Sequence, residues 1–353
     1  MPPTWPFRAR RNSLFLNCGI DTTRRETPMN EQAPAQNQPP PLPEQPVRLI
    51  PLALDIDKAQ ISGLAWHGDS LVILPQYPNW RGTPGDGCVQ VLDRAAIRAF
   101  LYGISDNPVV PREVPLITGG LEASIPGFQG YEAMTIVGDR VFVTVEAEPE
   151  WHKEMLGYIV AGTIEDNLSA IRLHPETLVS IKPQAQVPNA SYETLVYAGD
   201  RLIAIYEANG VNVNPNPEAY VLDLAFKHVG TVPFPHLEYR ITDATPADEQ
   251  GRFWAINFFW PGDKGDYTPG PDQISARWGM GPTHARTGAV ERLVQFQYSE
   301  SGITLVDRPP IQLRLLDADH TRNWEGLVPF EDEGFLIITD EFPETLLGFV
   351  SLT

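Results

Sequence analysis

Residues 130–148 read GYEAMTIVGDRVFVTVEAE. MTIV and VFVTV are β-branched and apolar, and the GD between them is a turn dipeptide, so the stretch predicts a tight antiparallel hairpin. Glu132 is out of place in that reading, because a carboxylate opens a strand that is otherwise built for burial. The same arrangement recurs along the chain. ISGLAWHGDSLVILPQ starts at Ile61, YEAMTIVGDRVFVTVE at Tyr131, YETLVYAGDRLIAIYE at Tyr192, TDATPADEQGRFWAINFF at Thr242 and WEGLVPFEDEGFLIITDE at Trp324. From the second residue of each copy to the first apolar residue after the turn is nine positions in the first three (Ser62 to Leu71, Glu132 to Val141, Glu193 to Leu202). It is ten in the last two (Asp243 to Phe253, Glu325 to Phe335), which one inserted turn residue explains.

Repeats of this kind point to a closed, repetitive β architecture. Two further strands follow most copies: CVQVLD and REVPLIT, GYIVAGTI and SAIRLHPETLVSI, AYVLDLAF and HVGTVPF, VERLVQFQYS and ITLVDRPPIQLRL. The last hairpin is followed only by TLLGFVSL, and the missing strand has a candidate at the other end of the chain, VRLIPLAL from Val47. A β-propeller closes in this way, sharing one blade between its termini so that no sheet edge stays open. The expected fold is all-β, a propeller of five four-stranded blades. A sixth blade would have to lie in 260–290, which reads as a long loop.

In a propeller the first strand of each blade lines the central channel, so the motif position becomes a ring: Ser62, Glu132, Glu193, Asp243 and Glu325. The following residue is always small (Gly63, Ala133, Thr194, Ala244, Gly326), as crowding inside a blade requires. The one after that is mostly apolar (Leu64, Met134, Leu195, Thr245, Leu327), which predicts an apolar plug beneath a polar ring. Two carboxylates about 5 Å apart repel by about 3 kcal/mol at an effective dielectric near 20. Either some stay protonated or a cation sits among them. An all-oxygen ring suits a hard cation such as Ca²⁺, which takes about 6–8 oxygen ligands, and the absence of His and Cys argues against Zn²⁺. The alternative is that each acid caps backbone amides of a neighbouring blade.

The same face carries the loops after each second strand, with a further tier of Gln76, Glu146, Glu207, Phe258 and Asp340 at the strand ends. Trp80, Arg81, Trp151, His152, Lys153, Asn209, Trp260, Lys264, Arg277 and Arg286 surround it. His152 and His284 are candidate acid–base groups. An acidic ring with a metal, rimmed by Arg, Lys and Trp, suits a small anionic substrate with a flat or sugar moiety.

Bulk properties narrow the partners. Lys and Arg number 26 against 45 Asp and Glu, a net charge of −19 over 353 residues, which disfavours nucleic acid and anionic membrane. No run approaches the roughly 18 apolar residues of a membrane span. The two cysteines, Cys18 and Cys88, have no metal or disulfide spacing and slightly favour a reducing, cytoplasmic setting. A monomer is expected. The apolar run in MPPTWPFRARRNSLFLNCGID is short for a secretory signal, and NEQAPAQNQPPPLPEQP reads as a disordered linker. Residues 1–46 are thus expected outside the fold, with Met29 an alternative start, and 47–353 as one propeller domain.

A five-bladed propeller with Ser, Glu, Glu, a small polar residue and Glu on successive inner strands resembles the calcium-activated nucleotidases (apyrases). The SGL and EG motifs of the first, second and fifth copies resemble the esterase-like phytase propellers. The likeness spans the five hairpins. It implies that Ser62, Glu132, Glu193 and Glu325 hold a catalytic calcium, with Asp243 standing where the apyrase pattern has serine. The function expected on this basis is metal-dependent hydrolysis of phosphate esters. Glu146, Glu207 or Asp340 would activate water, and Arg81 or Lys264 would hold phosphate. The competing expectations are a binding module with a structural calcium, a glycosidase using Glu193 and Asp340 as acid and base, and a lactonase of the six-bladed type.

Overall fold

The hairpin at 130–148 forms as its sequence dictates. Strand Phe128–Val137 pairs with Arg140–Ala147, and Val137 faces Arg140 across the two-residue turn Gly138-Asp139. Gly138 sits at φ 61°, a conformation that costs glycine nothing and that matches the right-handed twist of a hairpin. The turns Gly68-Asp69 and Gly199-Asp200 repeat this geometry, with His67 facing Ser70 and Ala198 facing Arg201. The structure, a computed structural model, describes residues 39–53, 59–82, 86–151, 155–227, 229–316 and 321–352.

Five antiparallel units follow one another along the described chain. Blade one is Ile61–His67, Ser70–Pro75, Cys88–Asp93 and Arg112–Ile117, with helix Arg94–Leu101 inserted before its last strand. Blade three is Thr194–Ala198, Arg201–Ile205, Glu218–Asp223 and Val229–Pro233. Blades two and four open with Phe128–Val137 and Arg240–Ala244. Their outermost strands, expected as single runs, are each split in two: Ile171–Leu173 and Val179–Ile181 both pair with Leu156–Ile164, and Gly302–Leu305 and Ile311–Leu313 both pair with Val290–Ser299. Blade five is Trp324–Phe330, Gly334–Thr339 and Leu347–Ser351, completed by the N-proximal strand Arg48–Ile50, which runs antiparallel to Leu347–Ser351 with Arg48 opposite Phe349. The five first strands touch in order and the fifth touches the first, so the ring is closed. The protein is a β-propeller.

The core is divided to match. Five hydrophobic clusters lie between successive blades, each drawing residues from both neighbours. Leu64, Met134, Leu195 and Leu327 each belong to a different one, so they join the blade interfaces rather than forming the expected axial plug. In the fifth copy the small residue is required by close approach: a Cβ on Gly326 would lie 2.6 Å from Ile338 Cγ2 and 2.7 Å from Leu64 Cγ, whereas one on Gly63 would meet nothing nearer than 3.4 Å.

One expected loop and one boundary carry more structure than the sequence reading gave them. Residues 260–290 carry no blade but the short helices Lys264–Tyr267, Gln273–Trp278 and Pro282–Thr287. The compact unit starts at Pro39, ahead of the expected residue 47. Glu44–Gln45 adds a parallel strand to Ile311–Leu313, and the Glu44 carboxylate accepts from Thr283 N (2.6 Å) and Thr283 Oγ1 (2.7 Å) and bonds His284 Nδ1 (3.2 Å). Pro-rich composition hid this, because what holds the segment is a carboxylate and not an apolar face.

Candidate functional site

The motif residues sit where their strands leave regular pairing. Ile61 pairs with Pro75 and Gly63 with Leu74, which leaves Ser62 as an extra residue; Glu325 is extra in the same way between Trp324 and Gly326. Register also shifts between Tyr131 and Met134, around Glu132, and between Ile241 and Ala244, around Asp243. Glu193 lies just ahead of its strand Thr194–Ala198. A bulge re-aims a side chain and frees backbone groups. Thr144 Oγ1 accepts the freed Ala133 N–H at 2.8 Å, and Thr245 Oγ1 accepts from Trp254 N at 3.1 Å. Ser62, Glu132, Glu193, Asp243 and Glu325 are all buried.

Three acids from the two predicted tiers gather around one residue that sequence reasoning did not select, Arg240, and a fourth joins through Asn323. Its Nη2 donates to Glu193 Oε1 (3.2 Å), Glu193 Oε2 (3.3 Å) and Glu325 Oε1 (3.4 Å), its Nε to Glu207, and its Nη1 to Asn323 Oδ1 (3.4 Å). Asn323 Nδ2 in turn donates to Glu325 Oε1 (2.6 Å) and Asp340 Oδ2 (3.0 Å). One guanidinium therefore links blades three, four and five. Burial works against its charge, but Glu207 and Glu193 more than offset that and hold it firmly protonated.

On the other side of the ring Glu132 and Glu146 form a second group with no ion pair among the described residues. Gln76 Nε2 bridges them, donating to Glu132 Oε1 (2.8 Å) and Glu146 Oε1 (3.4 Å). Burial, followed by the charge of Glu146, pushes Glu132 well above the carboxylate range. Burial raises Glu146 to about 7. Burial also raises Glu193 and Asp340, and lifts Glu325 to about 8 against the lowering influence of Arg240. Several of these carboxyls thus keep a proton near neutrality, which relieves the repulsion expected of the ring.

Asp243 is turned to another task. Its Oδ2 accepts the Leu327 N–H at 2.7 Å, capping a backbone amide of the next blade, the alternative to metal ligation that the sequence left open. The donor set does not fit calcium as arranged: Glu193 and Glu325 already face a guanidinium, Asp243 faces an amide, and no three His, Cys, Asp or Glu side chains are grouped as a metal site among the described residues.

The other predicted residues are dispersed. Arg81 lies 4.5 Å over the Trp80 ring and is ion-paired with Glu113, so neither is poised for phosphate. Trp260 is half exposed ahead of a short turn of helix, and Lys264 is exposed close by. Arg286 is exposed on helix Pro282–Thr287 and makes no ion pair with the ring. His284, on the same helix, is buried between Glu44 and the Glu291 carbonyl, and burial holds it below its ordinary value, so it is a structural group and not an acid–base residue. His152 lies outside the described residues. Arg240 did leave a trace in the sequence: an arginine stands three positions before the ring acid in two copies, Arg240 before Asp243 and Arg322 before Glu325. Arg322 is also buried and ion-paired, at 2.7 Å to Glu291.

No protein-family model matches the chain, and no curated protein matches it by sequence. Among solved structures, an exo-beta-1,3-galactanase from Phanerochaete chrysosporium with galactose aligns at a TM-score of 0.46 and 8% identity, over 83% of this chain and 60% of that one. An exo-1,5-alpha-L-arabinanase from a bovine ruminal metagenomic library gives 0.44 and 8%, over 82% and 92%. A putative glycoside hydrolase from Parabacteroides distasonis ATCC 8503 gives 0.41 and 12%, over 92% and 95%. At this level of likeness, function rests on the side chains of the chain itself.

Proposed function

We propose that the protein is a glycosidase-type propeller hydrolase whose chemistry is carried by its own carboxyl groups. The observation that supports this reading is the division of the ring into an acid pair with no ion pair among the described residues, Glu132 and Glu146, and an arginine-held trio, Glu193, Glu207 and Glu325. Glycoside cleavage needs one carboxyl that keeps its proton, to protonate the leaving oxygen, and another that keeps its charge, to act as base or nucleophile. Environments that separate two such groups mark acid and base. Glu146, raised to about 7 and bridged to Glu132 by Gln76, is the general acid. Glu193, both of whose oxygens face Arg240 Nη2, is the partner carboxyl: burial raises it and the guanidinium opposes that rise, so the arginine favours its charged form.

The expected calcium-dependent phosphoester hydrolase is less well supported by this geometry. Phosphate calls for several uncommitted cations, whereas Arg240 is engaged by acids and Arg81 is paired with Glu113, which leaves Lys264 of the two expected holders. Calcium at the ring would have to displace Arg240 from Glu193 and Glu325. The test is turnover of a panel of 4-nitrophenyl glycosides and of 4-nitrophenyl phosphate, each with calcium and with EDTA. Glycoside cleavage that ignores EDTA and falls about 100-fold or more in Glu146→Gln is expected. Phosphate release that requires calcium would overturn the reading in favour of the metal enzyme.

A further inference from the structure

The mouth above the ring carries one large exposed apolar side chain per blade. Tyr77 is 38% exposed, Trp151 73%, Val211 41%, Trp260 50% and Phe342 56%. Each follows the second strand of its blade, on the loop that leaves from Gln76, Glu146, Glu207, Phe258 or Asp340. Of the five exposed aromatics among the described residues, four lie here and only Tyr102 lies elsewhere. These loops reach the ring: Gln76, next to Tyr77, bonds Glu132, the Phe342 N–H donates to Asp340 Oδ1 at 2.7 Å, and the charges of Glu132, Glu146 and Glu341 act on the Tyr77 phenol. Trp260 is not loose, because its ring covers Gly262 so closely that a Cβ there would lie 2.2 Å from Cζ3.

Aromatic faces and buried carboxyls together recognise a molecule with apolar C–H faces and hydroxyl donors on its edges. The charge on the rim narrows the class. Glu148, Glu150, Asp266 and Glu344 are exposed around the same mouth and outnumber the exposed Lys264, while Arg81 is tied to Glu113. Anionic sugars are repelled by such a rim. A cationic ligand gains little at the ring itself, where Arg240 already faces three of the acids and burial favours the protonated forms of Glu132 and Glu146. We propose that the aromatic rim forms a row of subsites for a neutral oligosaccharide chain, which lies across the channel mouth with one sugar lowered toward the acid ring. This deepens the hydrolase reading and rests on it for what happens to the bound chain. The expectation of an anionic substrate is replaced by a neutral one.

The test uses the full chain carrying Glu146→Gln and isothermal titration with neutral gluco-, xylo-, arabino- and galacto-oligosaccharides of one to about six units. Affinity in one neutral series should rise with chain length. Trp260→Ala and Phe342→Ala should each weaken the longest ligand about 3- to 10-fold while leaving the monosaccharide unchanged. Oligogalacturonate should fail to bind. Both rings are exposed, so their loss leaves the fold intact, and a matching melting temperature checks this. Failure of every neutral series to bind, affinity independent of length, rim variants without effect, or binding of a basic peptide alone would each overturn the proposal. Length-dependent binding without cleavage of the same sugars by the wild-type chain would refute the hydrolase reading and leave the rim proposal standing.

Discussion

Arg240→Met removes the one cation from three carboxyls that have almost no access to water. The side chain of Arg240 is 13% exposed, and those of Glu193, Glu207 and Glu325 are 6%, 0% and 10% exposed. Taking one partner from a buried ion pair costs about 3–5 kcal/mol, because the remaining charge has no compensation. Here the acids have an escape, since they bind protons. Glu325, already at about 8 with Arg240 present, rises further without it, and Glu193 moves the same way. An acid whose folded-state value is raised holds a proton that the unfolded chain has released. Its contribution is fully present below the unfolded value near 4.5 and is lost as pH rises through the folded value. The penalty of Arg240→Met is therefore expected to reach about 3–5 kcal/mol near pH 8 and to shrink to about 1 kcal/mol near pH 5, where Glu193 and Glu325 hold their protons. Urea denaturation followed by tryptophan fluorescence at the two pH values measures both. Arg240→Lys, which keeps the charge and loses the planar fork, should fall between. A deficit of equal size at both pH values, or one below about 1 kcal/mol near pH 8, would refute the argument that the ring is held together by this charge.

Three further outcomes follow from single contacts. Asp243→Ala strands the buried Leu327 N–H and should cost about 1–3 kcal/mol in urea midpoint while leaving sugar affinity unchanged, since Asp243 serves the fold and not the ligand. Gly326→Ala places a methyl against Ile338 and Leu64 and should cost about 1–3 kcal/mol by the same assay; a neutral result would mean that the blade interface has slack. A chain starting at residue 39 should be more stable than one starting at 47 by about 2 kcal/mol, through the charged bonds of Glu44. Thr283 and His284 hold that carboxyl below its ordinary range despite its burial, so the difference is present at neutral pH and is lost as pH falls through the acid range; a difference that persists below about pH 3 would point elsewhere.

The repeat was legible because it is written in local physics. A two-residue Gly-Asp turn, alternating apolar strands and a small residue where chains crowd are all readable from neighbours in sequence, and Val47 onward supplied the strand that blade five lacked. The inner ring was legible for the same reason: Ser62, Glu132, Glu193, Asp243 and Glu325 recur at one position of one motif. The bulges at four of these positions were not read, because pairing register depends on the partner strand as much as on the motif itself.

What the ring does was decided only in three dimensions. Spacing showed that acids converge and that something must offset them. It did not show what, because charge compensation depends on distance and not on sequence separation: Arg240 lies 47 residues from Glu193 and 85 from Glu325, yet bonds both. The same holds for Asp243, which looks like its neighbours in the motif and spends its carboxylate on the amide of a residue 84 positions away. Local pattern determined that Glu132 belongs to a ring in a propeller. Packing determined that Glu132 shares Gln76 with Glu146 and keeps its proton, while on the opposite side of the ring three acids bond one arginine.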